Sequence, residues 1–305
     1  MKTASVSPDG RQIATSIWDA ERGVSDIWII DTKSGGARRF STGRYLAAQP
    51  VWSPDSARLA YARTPQVANG LGPNLFVRGL GETDPEEVLA KDLFQLPTDW
   101  SPNGRFIAFM NSGFVQVENE FQGDIRLVDL AAGRKIVNLV STPFHEGISA
   151  FSPDGRWIAF TSTESGRAEL YLQAFRAGGS PKVTGPRYAV SRNGAHCLRW
   201  RRDGRELFYL ADDGFIYAAP IKLAAEPQIG NSIRLFSISL EARGAVHSLL
   251  GFDASRDGSR FLVPIVTNNE KSEIVVMQNW EALVTEDAAE NQRPGQFTSA
   301  RASGP

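Results

Sequence analysis

One nine-residue phrase returns along the chain, and it constrains the fold more than anything else in the sequence. It reads SPDGRQIAT from Ser7, SPDSARLAY from Ser53, SPNGRFIAF from Ser101 and SPDGRWIAF from Ser152, with looser copies RRDGRELFY from Arg201 and SRDGSRFLV from Ser255. The starts at 7, 53, 101, 152, 201 and 255 are spaced by 46, 48, 51, 49 and 54 residues. A period of that size means repeated supersecondary units stacked on one another. In the phrase itself Pro presets φ for a turn, Asp suits the next position, and Gly supplies the positive φ that closes a hairpin. An apolar residue stands before the turn (Val6, Trp52, Trp100, Phe151, Trp200, Ala254) and an apolar run follows it, which reads as strand, turn, strand.

Further strand signals fill out each period. A third strand is expected in SDIWIID from Ser25, NLFVRG from Asn74, GDIRLVDL from Gly123, AELYLQAF from Ala168, GFIYAAPI from Gly214 and SEIVVMQNW from Ser272. A shorter fourth is expected near Ala37 to Ser41, Glu86 to Ala90, Lys135 to Leu139, Arg187 to Ser191 and Ile233 to Ile238. Four strands per period of about 45 residues predict an all-β, six-bladed β-propeller of four-stranded antiparallel blades over residues 1–284. The last blade is expected to be incomplete, with Trp280 over its outer edge, so that the first and last blades meet mainly by side-chain packing. Residues 285–305 are expected to form a disordered polar tail. The recurrent Trp or Phe before the turn then fills the wedge between neighbouring blades.

The WSPDG or FSPDG turn with its following IAF strand resembles the TolB-type propeller repeat, also called WD40-like or PD40. The second half, with LRWRRDGRELFYLADDGFIYAAPI, FDASRDGSRFLV and VVMQNW, resembles the C-terminal propeller of bacterial serine/threonine kinases and winged-helix regulators. That resemblance implies a binding module whose parent protein carries a kinase or winged-helix domain upstream; fold alone does not carry an activity.

Composition narrows the partners. Thirty-three basic residues stand against 34 acidic ones, so no global field favours nucleic acid. The single Cys197 precludes an intrachain disulfide and a cysteine-rich metal cluster. No signal peptide or run of about 18 apolar residues is present, so the chain as written reads as cytoplasmic and without membrane insertion, or as periplasmic where it is a fragment of a larger protein. No Gly-rich phosphate loop, G-x-S-x-G elbow or HExxH appears, and neither cofactor nor metal is expected. The turn Asp residues are read as turn formers, and the cluster Arg199, Arg201, Arg202 and Arg205 as a solvated hairpin.

Function is therefore sought in what varies between copies, which is loop length. DAERGVS, TPQVANGLGP and NSGFVQVENEFQG are long where the fifth repeat has only ADDG. These loops and the segments leading into the inner strands are expected on one face. They form a rim of Trp18, Tyr45, Phe94, Phe114, Phe121 and Phe144 with Glu118 and Glu120, joined by His145 and His247. Aromatic residues amid polar ones on loops suit protein or peptide recognition; the same residues folded inward to brace long loops fit the sequence equally well. The expectation is a non-catalytic module for protein or peptide binding or sensing in a signalling or envelope system, and not an enzyme. The alternative is a lyase or hydrolase working at the channel mouth, and convergence of His145, His247 and Glu146 would favour it.

Overall fold

A computed structural model describes residues 4–65, 72–90, 94–117, 120–238, 252–265, 273–278 and 298–299. The first repeat forms β1 (Ala4–Val6), β2 (Gln12–Asp19), β3 (Val24–Asp31) and β4 (Ala37–Arg39). The second forms β5 (Tyr45–Trp52), β6 (Arg58–Pro65), β7 (Asn74–Gly79) and β8 (Glu87–Ala90). Each set is an antiparallel meander, and one parallel bridge, Ser25 to Leu46, joins the two. The third repeat gives β9 (Phe94–Trp100), β10 (Phe106–Val117), β11 (Glu120–Asp129) and β12 (Lys135–Val140). The fourth gives β13 (Glu146–Phe151), β14 (Trp157–Ser162), β15 (Glu169–Arg176) and β16 (Lys182–Ala189). In the fifth, β17 (Cys197–Trp200), β18 (Glu206–Leu210) and β19 (Phe215–Lys222) are followed by β20 (Gln228–Ile229) and β21 (Ile233–Ser237), both of which pair with β19. The last sheet holds β22 (Asp253–Ala254), β23 (Arg260–Ile265), β24 (Glu273–Gln278) and β25 (Thr298–Ser299).

The five copies that begin with Ser are built by the same bonds, and of these the copy at Arg201 keeps only the bond from the Arg205 N–H to Asp203 Oδ1. In the first, Ser7 Oγ donates to Asp9 Oδ1 (2.6 Å) while accepting from the N–H of Gln12 (2.9 Å), and the Arg11 N–H donates to Asp9 Oδ1 (3.0 Å). The Ser152 and Ser255 turns repeat this pattern, with Asn103 taking the Asp role beside Ser101. The closing Gly has φ of +75° at Gly10 and +67° at Gly155. In the second copy Ser56 occupies that left-handed position with φ +60°, and its Oγ accepts a bond from the Asp9 N–H of the neighbouring turn.

The inner strands touch in the order β1, β5, β9, β13, β17, β22, and β22 returns to β1, so the sheets close into a ring. Apolar clusters fill the wedges between successive sheets. Trp52, Leu59 and Tyr61 pack on Ile27, Ile29 and Phe40; Trp100, Ile107 and Phe109 pack on Ala60, Leu75 and Val77; Phe151, Phe160 and Phe175 pack on Phe106, Ala108 and Leu127. The pre-turn aromatic thus sits in the wedge, as its position in the repeat predicts.

At the joint between the last and first sheets, where side-chain packing is expected, the described residues show polar contacts. None of the apolar clusters of the described residues crosses it. Instead the Val6 N–H donates to Asp253 Oδ2 (2.7 Å), and Arg202 Nη1 donates to the Pro8 carbonyl. The same device recurs three repeats away, where the Phe151 N–H donates to Asp99 Oδ2 (2.7 Å). A second device also occurs twice at that interval: Trp52 Nε1 donates to Ser5 O (3.0 Å) and Trp200 Nε1 to Ala150 O (3.3 Å). At the outer edge of the last sheet, Thr298 and Ser299 pair with Val276 and Val275. The expected position of Trp280 lies outside the described residues, as does most of 285–305.

Candidate functional site

Antiparallel pairing puts the starts of the inner strands and the far ends of the second strands on one face of the ring, and the SPDG turns on the other. The front face, where the inner strands begin, carries most of the residues that sequence singles out. Trp18 lies at the end of β2 with 49% of its surface exposed, and Ile17 (37%) and Leu46 (37%) are also open. Trp18 pairs across to Ser25, and Ser25 bridges to Leu46, so this row crosses from the first sheet to the second. Phe144 adds a further exposed aromatic ahead of β13.

Other residues of the predicted rim are braced. The Arg63 guanidinium lies 3.6 Å from the centroid of the Tyr45 ring, and Gly43 closes beneath it so tightly that a Cβ there would come within 2.8 Å of the ring. Arg63 and the Tyr61 hydroxyl both bond Glu86, and burial pushes the Tyr61 phenol up to about 12. Tyr45 therefore caps a half-buried ion-pair stack. Phe94 packs against Ala62, Leu96 and Met110. The stretch NSGFVQVENEFQG is not the loop expected from its composition. It continues β10 and β11 as a hairpin arm, in which Ser112 pairs with Gly123, Gly113 with Gln122 and Val117 with Glu120. Phe114 and Phe121 lie on its two strands. Glu118 and His247 fall outside the described residues.

His145 and Glu146 are each held by neighbouring residues. The His145 N–H donates to Thr163 Oγ1 (3.0 Å), and its ring packs against the backbone of Gly123, where a Cβ would come within 2.8 Å of Cε1. Glu146 is fully buried, accepts from the hydroxyls of Thr142 and Ser162, and is pushed up by that burial. Among the described residues no three His, Cys, Asp or Glu side chains gather as a cation site. Another histidine does gain a carboxylate: His196 Nε2 lies 2.5 Å from Asp212 Oδ1.

A polar group lies on the inner strands, and it corrects the expectation that Arg199 belongs to a solvated hairpin, because its guanidinium faces Asp253. Asp99, Arg199 and Asp253 come from three inner strands, each two positions before its turn. Burial pushes Asp99 up to about 6, against the opposing pull of the Phe151 and Trp100 N–H groups and Arg199, with Asp253 adding to the rise. Asp253 is raised by burial too, although Arg199 Nε stands 3.4 Å from its Oδ1. The signal was present in the sequence: at the phase occupied by Ser5, Val51 and Ala150, two copies of the repeat carry Asp and one carries Arg.

Comparison with solved structures decides the family of the fold. TolB from Acinetobacter baumannii superposes with a TM-score of 0.62 over 91% of this chain and 60% of that one, at 17% identity. The fold is a TolB-type β-propeller. The propeller is also similar to an oligogalacturonate lyase from Vibrio parahaemolyticus, with a TM-score of 0.56, 14% identity, and coverage of 91% of this chain and 74% of that one. No family model matches the chain. In sequence, the propeller is 28% identical over 156 residues to a Bacillus subtilis protein named an uncharacterized peptidase, YuxL, a match covering 51% of this chain and 21% of that protein. The chain thus spans about a fifth of the length of the curated relative it matches. These findings correct the expectation that the chain stands apart from enzymes: its sequence relative is named a peptidase, and lyases share its fold. Absence of an elbow or HExxH motif was too narrow a ground, because it tests only chemistry written as a local motif. Among the described residues no helix is long and apolar enough to cross a membrane.

Proposed function

We propose that the chain is a six-bladed propeller that binds peptide segments on its front face, as the substrate-holding part of a peptide-processing system. The observation that carries this reading is the exposed pair Trp18 and Leu46, joined through Ser25 across the first two sheets. Large apolar side chains held open on paired strands lose little conformational freedom when a ligand covers them, and Trp is enriched where binding energy concentrates. The relative named a peptidase supports peptide as the ligand class. The hairpin arm that carries Phe114 and Phe121, with Tyr45 and His145, extends the same surface around the face. Tyr45 serves it indirectly, by holding the edge beside Leu46 rigid.

The test is binding of a labelled pool of unstructured peptides, read by anisotropy, with peptide integrity followed by mass spectrometry. Trp18→Ala is expected to weaken capture by about tenfold or more, as for a buried aromatic anchor, without shifting the unfolding midpoint. Capture that is indifferent to both Trp18→Ala and Leu46→Ala would overturn the reading.

A further inference from the structure

The opposite end of the ring carries a second surface. On the turn face, a cleft of about 670 Å³ opens between the fourth and fifth repeats. Its apolar lining is Pro153 from one turn with Pro220, Ile221 and Leu223 from the end of β19 and beyond. Gly204 and Gly230 complete the wall, and a Cβ built on Gly204 meets only Leu223 and Pro153 at ordinary contact distance, so backbone can be approached there. The rim is cationic. Arg156, Arg205 and Lys222 border it, with side-chain exposures of 68% for Arg156 and 82% for Arg205.

We propose that this cleft docks a peptide segment carrying carboxylates and apolar side chains together. Charge complementarity selects that occupant. The two carboxylates that share the rim are already engaged by their own turns: Asp154 accepts from Ser152 Oγ, the Arg156 N–H and Arg156 Nε, and Asp203 accepts from the Arg205 N–H. Arg205 Nε stands 3.9 Å from Asp203 Oδ2, a loose and exposed pair of the kind that contributes little and gives way to a better partner. Lys222 makes no ion pair among the described residues and stands where β20 pairs with β19. The apolar lining then needs a ligand with more than charge, which separates an acidic peptide from a bare polyanion. Arg201, whose guanidinium bonds Glu206 (2.9 Å), and Arg202, bound to the Pro8 carbonyl, are turned to the fold, so Arg205 alone of that sequence cluster serves the cleft.

The experiment measures anisotropy of a short labelled peptide mixing Glu and Leu. Comparators are a Lys/Leu peptide, a Glu/Ser peptide and an oligothymidylate. Saturable binding of the Glu/Leu peptide is expected, weaker by about tenfold in the double variant Arg205→Glu, Lys222→Glu and weakened as salt rises to roughly 0.3 M. The measurements are made in the Trp18→Ala background, which removes the front-face anchor, so binding at this cleft is read by itself and its failure is distinguishable from failure of the front-face reading. Lys222→Gln alone, at an exposed position, gives a second reading if the double variant unfolds, with an expected loss of about threefold. The proposal is overturned by absence of saturable binding, by equal affinity for the oligothymidylate or the Lys/Leu peptide, or by variants that leave affinity unchanged.

Discussion

Two populations of aspartate share this repeat and respond to pH in opposite directions. Asp9 and Asp55 are held below the usual carboxylate range, first by the hydroxyls of Ser7 and Ser53. Their contribution to stability is present above the unfolded value near 3.8 and is lost as pH falls through their lower folded values. Asp99 is the reverse. With its folded value near 6 against 3.8 unfolded, it favours folding most below pH 3.8, and that contribution is lost as pH rises through about 6. Asp99→Asn keeps an oxygen to accept the Phe151 N–H and removes the cost of an enclosed charge. The variant is therefore expected to match or exceed the parent in stability at pH 7.5, with its advantage shrinking by pH 5, as read from denaturant midpoints. An advantage that does not change between the two pH values would refute the assignment. The turn aspartates were legible in the sequence because Ser, Pro, Asp and Gly act on neighbouring backbone. Asp99 was not, because its partner is a backbone N–H on the next inner strand, 52 residues away.

At the scale of strands and sheets, phase was the readable quantity. A residue before the turn, followed by a continuous apolar run, fixes which segments enter the wedge, and Trp100 at 4% exposure is where that phase places it. Its indole packs on Ala60, Leu75 and Val77, donates to Gly104 O (3.1 Å) and lies under the Arg58 guanidinium, 4.9 Å from its centroid. Trp100→Ala should cost about 3–5 kcal/mol as a cavity in a packed wedge. A loss under about 1 kcal/mol in chemical denaturation would show that the wedge collapses around the gap. The hairpin arm of β10 and β11 was misread as a loop because its Ser, Gly, Asn and Gln content matches loop composition, whereas its register is inherited from the long apolar pairing Phe106 to Asp129 through Ser112 to Gly123 below it. The exposed pair Trp18 and Leu46 was half visible: Trp18 stood out by residue type, but Leu46 joined it only through the lateral bridge at Ser25.

For the whole molecule, the informative feature is that the joints between sheets are unequal. Where Asp99 meets Phe151, the carboxylate bond is backed by a continuous aromatic wedge of Phe106, Phe151 and Phe175. Where Asp253 meets Val6, the same bond stands without an apolar cluster among the described residues, although this is the one joint that no peptide bond spans. A circular permutant moves the interruption. Joining the two chain ends with a flexible linker and opening the exposed connection at 141–145, between β12 and β13, would tether the poor joint and leave the well-packed one to hold itself. Such a chain is expected to fold and to unfold at an equal or higher temperature than the parent, which calorimetry would register. A permutant opened inside the Ser152 turn, which cuts a hairpin rather than a joint, should not fold.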